Sequence, residues 1–170
     1  MTTVKGSDLV MMGDAETDRG GSWWALRAGL ILIVVAGLAI QAYVHLHLAS
    51  PYDGVKSSVL TQGDLFRAEA GLAILAALAL IFRPRRWTAV FALLVSAAGF
   101  AAVLVYQYIN VGALGPLPNM YDPVRSTEKT MSIWAEGIAA LVALVLLILI
   151  NQHTSRTRSA YGEPARASSY

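Results

Sequence analysis

The sequence predicts an all-α polytopic membrane protein with four transmembrane helices and both termini on the cytoplasmic side. Three observations predict it. The first is composition: of 170 residues, 56% are apolar and only 14% charged, and mean hydropathy is +0.54. A soluble domain carries about 25% charged residues. The second is four apolar runs, at 23–46, 65–82, 87–106 and 133–150. Each matches the roughly 17–25 helical residues that cross a hydrocarbon core of about 30 Å. In lipid every backbone polar group must be satisfied within its own segment, so the runs are helices. The third is the placement of the bases. Lys5, Arg19, Arg27, Arg83, Arg85, Arg86, Arg156, Arg158 and Arg166 fall on one side, against Lys56, Arg67, Arg125 and Lys129 on the other. That bias places the first set inside.

In chain order, residues 1–21 are polar, mixed in charge and glycine-containing, which predicts a flexible cytoplasmic tail. Asp8, Asp14, Glu16 and Asp18 offset its bases, and the following run is longer than a signal-peptide core. The four-helix domain is expected over 22–152, with helices at about 22–47, 62–83, 87–109 and 127–152. Ser22 is the expected N-cap of helix 1. Trp23 and Trp24 suit the interface, and Arg27 can snorkel to headgroups. Pro51 and Gly54 mark a loop. Thr61-Gln62-Gly63-Asp64 resembles a capping box with Asp in place of Glu, so helix 2 starts there and stops at Arg83-Pro84-Arg85-Arg86. Gly112, Gly115, Pro116, Pro118 and Pro123 break the chain after helix 3. Ser126 or Thr127 caps helix 4. Residues 153–170, rich in Ser, Thr and Arg, are expected to be a second disordered cytoplasmic tail.

The residues that stand out are Glu69 and Glu136, each placed a little way into an apolar run. An ionisable group inside a membrane segment usually faces the bundle or a wet cavity and marks a site. The alternative is an anion at the interface, stabilised by the helix N-terminus. The two hairpins also look like an internal repeat. Tyr43-Val44-His45-Leu46 aligns with Tyr108-Ile109-Asn110-Val111, each loop holds Tyr-Asp, and each second helix opens with Ala-Glu. Small residues follow four and seven positions on: Ala73 and Ala76, Ala140 and Ala143. Such stripes let membrane helices approach closely. A parallel duplication about an axis along the membrane normal would bring Glu69 and Glu136 together, with His45 and Asn110 in matching places. Arg67 is the expected neighbour of Glu69. The candidate polar site is thus Glu69, Glu136, His45, Arg67 and Asn110.

His45 and His47 point about 200° apart on a helix, so one faces inward, and His45 is the better candidate. His45, Glu69 and Glu136 are weak candidates for a metal such as zinc, by ligand type alone. No metal or other cofactor is expected, and no P-loop, dinucleotide-binding glycine pattern, HExxH or nucleophile elbow is present. With no cysteine, disulfides, thiolate metal sites and cysteine nucleophiles are excluded. The pI near 9 reflects topology, not nucleic-acid binding.

Several of these features carry a resemblance. The chain resembles a group of uncharacterised actinobacterial four-helix membrane proteins over roughly residues 41–150. It rests on His45-Leu46 ending helix 1, Leu65-Phe66 ahead of an Ala/Leu-rich helix 2, an Arg-rich inner turn and a glycine-containing exit from helix 3. Gly63-Asp64-Leu65-Phe66 departs from the group's Gly-Pro-Leu-Phe. The resemblance implies a four-helix fold and no catalytic residues. The DoxX-like membrane proteins are similar in architecture alone.

The expected role is a non-enzymatic accessory or scaffold component of the bacterial plasma membrane. Its expected partners are the lipid bilayer and a second copy or membrane complex. The alternatives are a small ion- or proton-coupled transporter using Glu69 and Glu136, and a quinone- or metal-binding redox accessory.

Overall fold

The computed structural model describes residues 6–161, with side chains described for 22–155. Four helices follow one another: α1 Gly6–Ala49, α2 Gln62–Phe82, α3 Arg86–Tyr108 and α4 Thr127–Tyr161. All four are long and apolar enough to cross a membrane, over Ser22–Ala49, Gln62–Phe82, Arg86–Tyr108 and Thr127–Ser155.

Two helix ends differ from expectation. Helix α1 begins at Gly6, not at Ser22, and α4 continues to Tyr161, not 152. The backbone reason is the same at both ends. No proline interrupts 6–21 or 153–161, and a glycine costs a helix only about 1 kcal/mol. The parts of the expected tails at 1–5 and 162–170 lie outside the described residues. Helices α2 and α3 agree with expectation to within a residue.

The caps follow local chemistry. Thr61 is extended, and its hydroxyl accepts from Asp64 N while the Asp64 carboxylate accepts from Thr61 N. This is the predicted capping box with Asp as its acid. Ser126 caps α4, accepting from Lys129 N at 3.2 Å. Pro84 and the Thr88 hydroxyl, which accepts from Arg85 N, make the tight α2–α3 turn.

Helix α1 packs against α2 and α4, and α3 packs against α4 and, less extensively, α2. The buried stripes recur at helical spacing. They run Val34, Leu38, Gln41, His45 on α1, and Ala73, Ala76, Leu80 on α2. On α3 they run Ala89, Ala92, Ser96, and on α4 Glu136, Ala139, Ala143, Leu146. Most are small, as close helix approach in lipid requires. Of the expected small residues, Ala73, Ala76 and Ala143 are fully buried. On α4 it is Ala139, not Ala140, that completes the inner face. The outward faces carry Leu32, Leu75, Ile81, Leu94 and Leu141, all exposed. That inverted arrangement suits an apolar surround.

At the end where the α2–α3 turn lies, Trp23 stacks on His153 at 4.8 Å between ring centroids. Arg27 donates from Nη2 to the Pro84 carbonyl. The expected snorkelling of Arg27 is thereby replaced by a tie between α1 and that turn. At the opposite end the two long loops clasp each other. Ser57 Oγ donates to the Pro116 carbonyl at 2.6 Å and Tyr52 OH to Asp122 Oδ2 at 3.0 Å. Lys129 Nζ lies 2.7 Å from Asp122 Oδ2.

This clasp carries a pH dependence. Burial works against the Asp122 carboxylate, but hydrogen bonds from Lys129 and Tyr52 outweigh it and hold its pKa below the usual range. Burial, with the bond to Asp122, pushes the Tyr52 phenol up. A depressed acid stabilises above its unfolded pKa, and a raised one below it. The clasp is therefore fully in place between about pH 4 and pH 10 and is lost as pH falls through the lowered Asp122 value. Asp122→Ala is expected to cost about 1–2 kcal/mol in thermal unfolding at pH 7 and nothing once pH has fallen below that value.

Candidate functional site

The site forms where the inner faces of all four helices meet one turn or more below the clasped loops. Glycine 99 on α3 leaves the space for it. A Cβ built there would lie 2.7 Å from Gln41 Nε2 (α1), 3.0 Å from Glu69 Oε1 (α2) and 3.0 Å from Glu136 Cδ (α4). The two carboxyl groups each approach that one point, so they are at most twice that distance apart. Glu69 and Glu136 therefore share one cluster inside the bundle.

The cluster is wired by short bonds. Gln41 Nε2 donates to Glu69 Oε1 at 2.7 Å, and Ser132 Oγ donates to Glu136 Oε1 at 2.6 Å from one helical turn earlier. Gln41 and Glu136 are both 0% exposed. His45 lies at the edge, its Nδ1 2.9 Å from the Gln41 carbonyl and 3.9 Å from Glu136 Oε1. Its ring meets Phe66 edge-on at 5.3 Å. Four of the cluster's groups come from positions at i and i+4: Gln41 with His45, and Ser132 with Glu136.

Above the cluster sits a cavity of about 390 Å³. Its walls are mostly apolar, with Leu65, Phe66, Leu72, Val103, Leu117 and Met120 among them. Glu69, Gly99 and Ser132 line it from the cluster side, and Gln107 from α3. Ala68, Leu72 and Ala102 are cavity residues that are also exposed on the surface. They belong to α2 and α3, the least extensively packed neighbouring pair, so the cavity opens sideways as well as toward the loops. Small-molecule sites typically occupy about 300–1,000 Å³, with apolar walls and a few placed polar groups.

Several buried polar atoms have no protein partner: Gln41 Oε1, Glu136 Oε2, Gln107 Oε1 and Ser96 Oγ. A buried acceptor left unpaired costs about 1–3 kcal/mol. Gln41 and Glu136 lie in the cluster beside Gly99, Ser96 lies one turn deeper on α3, and Gln107 stands about 12 Å further along that helix toward the loops.

The expected site residues separate into two groups. Glu69, Glu136 and His45 come together. Arg67 and Asn110 do not. Arg67 turns to the exposed face and makes a two-pronged pair with Asp53, both contacts at 2.8 Å, plus a contact to Asp64. It is two residues from Glu69, and on a helix that spacing points side chains apart. Asn110 lies beyond the end of α3, where Ile109 is extended, and it accepts from Gly112 N and Asn119 Nδ2. The residue in the interior at that level is Gln107, 6% exposed. The expected match between His45 and Asn110 therefore fails because α3 ends at Tyr108. His47 faces outward, stacked on Tyr43 at 6.0 Å. Among the described residues no group of three His, Cys, Asp or Glu side chains is arranged to hold a metal ion.

Four contributors went unnoticed in the sequence: Gln41, Ser132, Gly99 and Gln107. Two had a signal. Gln41 lies four residues before His45 and Ser132 four before Glu136, which puts each pair on one face. No family model, curated protein or solved structure matches this chain.

Proposed function

We propose that the protein is a non-enzymatic accessory component of a bacterial plasma membrane that holds an amphipathic small molecule in its outer-end cavity. The excess of bases at the termini and the α2–α3 turn supports an N-in, C-in topology, so the cavity opens extracytoplasmically. The observation that carries the reading is the coincidence of an apolar cavity with a polar floor, where Glu69, Gly99 and Ser132 line the cavity and the unpaired Gln41 and Glu136 oxygens belong to residues beside Gly99. An apolar body fits the walls, and a polar head satisfies the floor.

The meeting of Glu69 and Glu136 supports descent from a duplicated hairpin. The loops are less symmetric, since Tyr52 pairs with Asp122 while Asp53 is taken by Arg67.

A proton- or ion-coupled transporter built on the same carboxylates is the second reading, favoured by their proximity. Below the cluster, however, Val34, Leu38, Ala73, Ala76, Leu80, Ala92 and Leu146 pack together, with Ser96 the buried polar side chain on the α3 stripe there. That largely apolar plug carries no ionisable side chain, which disfavours a continuous path and favours binding from one side.

The test is retention of an amphiphile. Native mass spectrometry of the wild-type protein released from lipid nanodiscs is expected to show a bound small molecule. Val103→Trp, which fills the cavity wall, is expected to lose it. Equal adducts on both proteins, or none on either, would contradict the proposal.

A further inference from the structure

Resting on that reading, the structure assigns a chemical class to the cavity's occupant: we infer that it is a single-chain amphiphile with a protonated amine head. The first observation is the sign of the unmet bonding capacity. Gln41 Oε1 and Glu136 Oε2, on the two residues that flank Gly99 at the cavity floor, are fully buried and unpartnered. An amide or carboxylate oxygen accepts hydrogen bonds. A head that supplies several N–H donors satisfies this set. A carboxylate, phosphate or sulfate head would leave it unpaired and add repulsion.

The second observation is the charge balance. Along the cavity and its floor stand three carboxyl groups: Glu69, Glu136 and Asp122. Lys129 is the one Lys or Arg of the wall, and its three donors are committed. They reach Asp122 Oδ2 at 2.7 Å, the Asp122 carbonyl at 2.6 Å and the Val124 carbonyl at 2.9 Å. That leaves Glu69 and Glu136 with no cationic partner of their own. His45, the other basic side chain near them, spends Nδ1 on the Gln41 carbonyl. Like carboxyl groups this close in a medium of low dielectric are stabilised by a cation between or beside them. Gln107 stands apart from the head, about 12 Å along α3 from Gly99 and nearer the loops. It is 6% exposed, lines the cavity and points an unpaired oxygen at no protein group.

The third observation is size. A cavity of about 390 Å³ accepts one alkyl chain of moderate length within its walls. The occupant is thus a free alkylamine-like amphiphile, with its chain against Phe66, Leu72 and Val103 and its ammonium near Gly99.

The experiment compares octylammonium, octanol and octyl sulfate binding to the full-length protein in phosphatidylcholine nanodiscs, with empty nanodiscs as the partition blank. A charge-assisted hydrogen bond in a buried site corresponds to about a tenfold or greater gain in affinity. Octylammonium is expected to bind at least about tenfold more tightly than octanol, and octyl sulfate not above the blank. Glu136→Gln and Glu69→Gln are each expected to remove most of the ammonium preference while octanol binding is kept. Glu69→Gln serves if Glu136→Gln fails to fold, because the half-buried Glu69 position tolerates an amide. Adding phosphatidylethanolamine to the nanodiscs is expected to leave octylammonium affinity unchanged. A marked loss there would assign the site to a lipid ammonium and overturn the single-chain assignment. Equal affinity for all three probes, abolished by Val103→Trp, would overturn the amine assignment and leave the amphiphile cavity standing. No binding above the blank for any probe would overturn both.

Discussion

Gly99→Leu is expected to dismantle the polar cluster and to cost about 3 kcal/mol in thermal unfolding. The space its side chain needs is already filled by Gln41 Nε2, the Glu69 carboxyl oxygen and the Glu136 carboxyl carbon, all within 3.0 Å of the first added atom. Overpacking alone costs about 1–3 kcal/mol. Breaking the Gln41–Glu69 bond, in which a carboxyl oxygen is the acceptor, adds about 1.5 kcal/mol or more. The substitution is also expected to abolish retention of the amphiphile, because the leucine projects into the cavity floor. Gly71→Leu is the matched control. It sits on α2 with nothing within 4 Å of its added Cβ, and there a side chain should be neutral or slightly stabilising. A Gly99→Leu protein as stable as wild type would mean that the cluster does not converge on α3.

Gly37→Leu is expected to have the largest effect on the fold away from the site. It lies at the crossing of α1 and α4, where an added Cβ would come within 2.7 Å of Ala139 Cβ and 2.9 Å of the Ala135 carbonyl. The carbonyl belongs to the backbone of α4 and cannot rotate away, so the helices must separate. Packing contacts and interhelical fit, not hydrophobic transfer, hold membrane helices together. A cost at the upper end of about 1–3 kcal/mol follows. Because Ala135 immediately precedes Glu136, the displacement also shifts the acid away from Gln41. Thermal unfolding in nanodiscs reads the first effect and octylammonium binding the second. Gly29→Leu, eight residues earlier on α1 with nothing within 4 Å, should change neither.

The parts of this molecule that were legible in the sequence are those set by local chemistry. The four apolar runs stand out because lipid demands long uninterrupted helices. The Thr61–Asp64 capping box and the Ser126 cap were legible because capping needs particular oxygens at particular offsets. The convergence of Glu69 and Glu136 followed from treating the hairpins as repeats. The same symmetry failed at Asn110, because a repeat in sequence does not guarantee equal helix length, and α3 ends before that residue. Arg67 failed for a different reason. Its charge suggested a partner for Glu69, but a two-residue offset directs it to Asp53 on the outside. Gly99 could not be picked out at all. Its role depends on three side chains from three other helices, and none of the offsets within α3 reveals them. Gln41 and Ser132 stood one turn from residues already singled out, and reading the face instead of the charge would have found them.

The structure also separates two explanations of a membrane-embedded acid. Interface anions stabilised by their own helix N-termini would point outward, each into its own patch of headgroups. Here Glu136 is wholly buried, bonded by Ser132 and beside the acid of another helix. Burying that acid carries a cost in desolvation, which fits the binding role proposed above. Glu136→Leu tests that inference from the stability side. It is expected to leave thermal stability unchanged or raise it by about 1 kcal/mol or more, while octylammonium preference is lost.

The shared cluster itself is open to a direct chemical measurement, because the chain has no cysteine. With cysteines at Glu69 and Glu136, a short, flexible, membrane-permeant reagent carrying two thiol-alkylating groups is expected to bridge the two within one chain, read as a single added linker by mass spectrometry. A pair at Glu69 and the lipid-facing Trp134, which is 67% exposed, should take up two separate linkers instead. Bridging in the first pair only is the predicted result. Two separate linkers on the 69/136 pair would contradict a common site for the two acids.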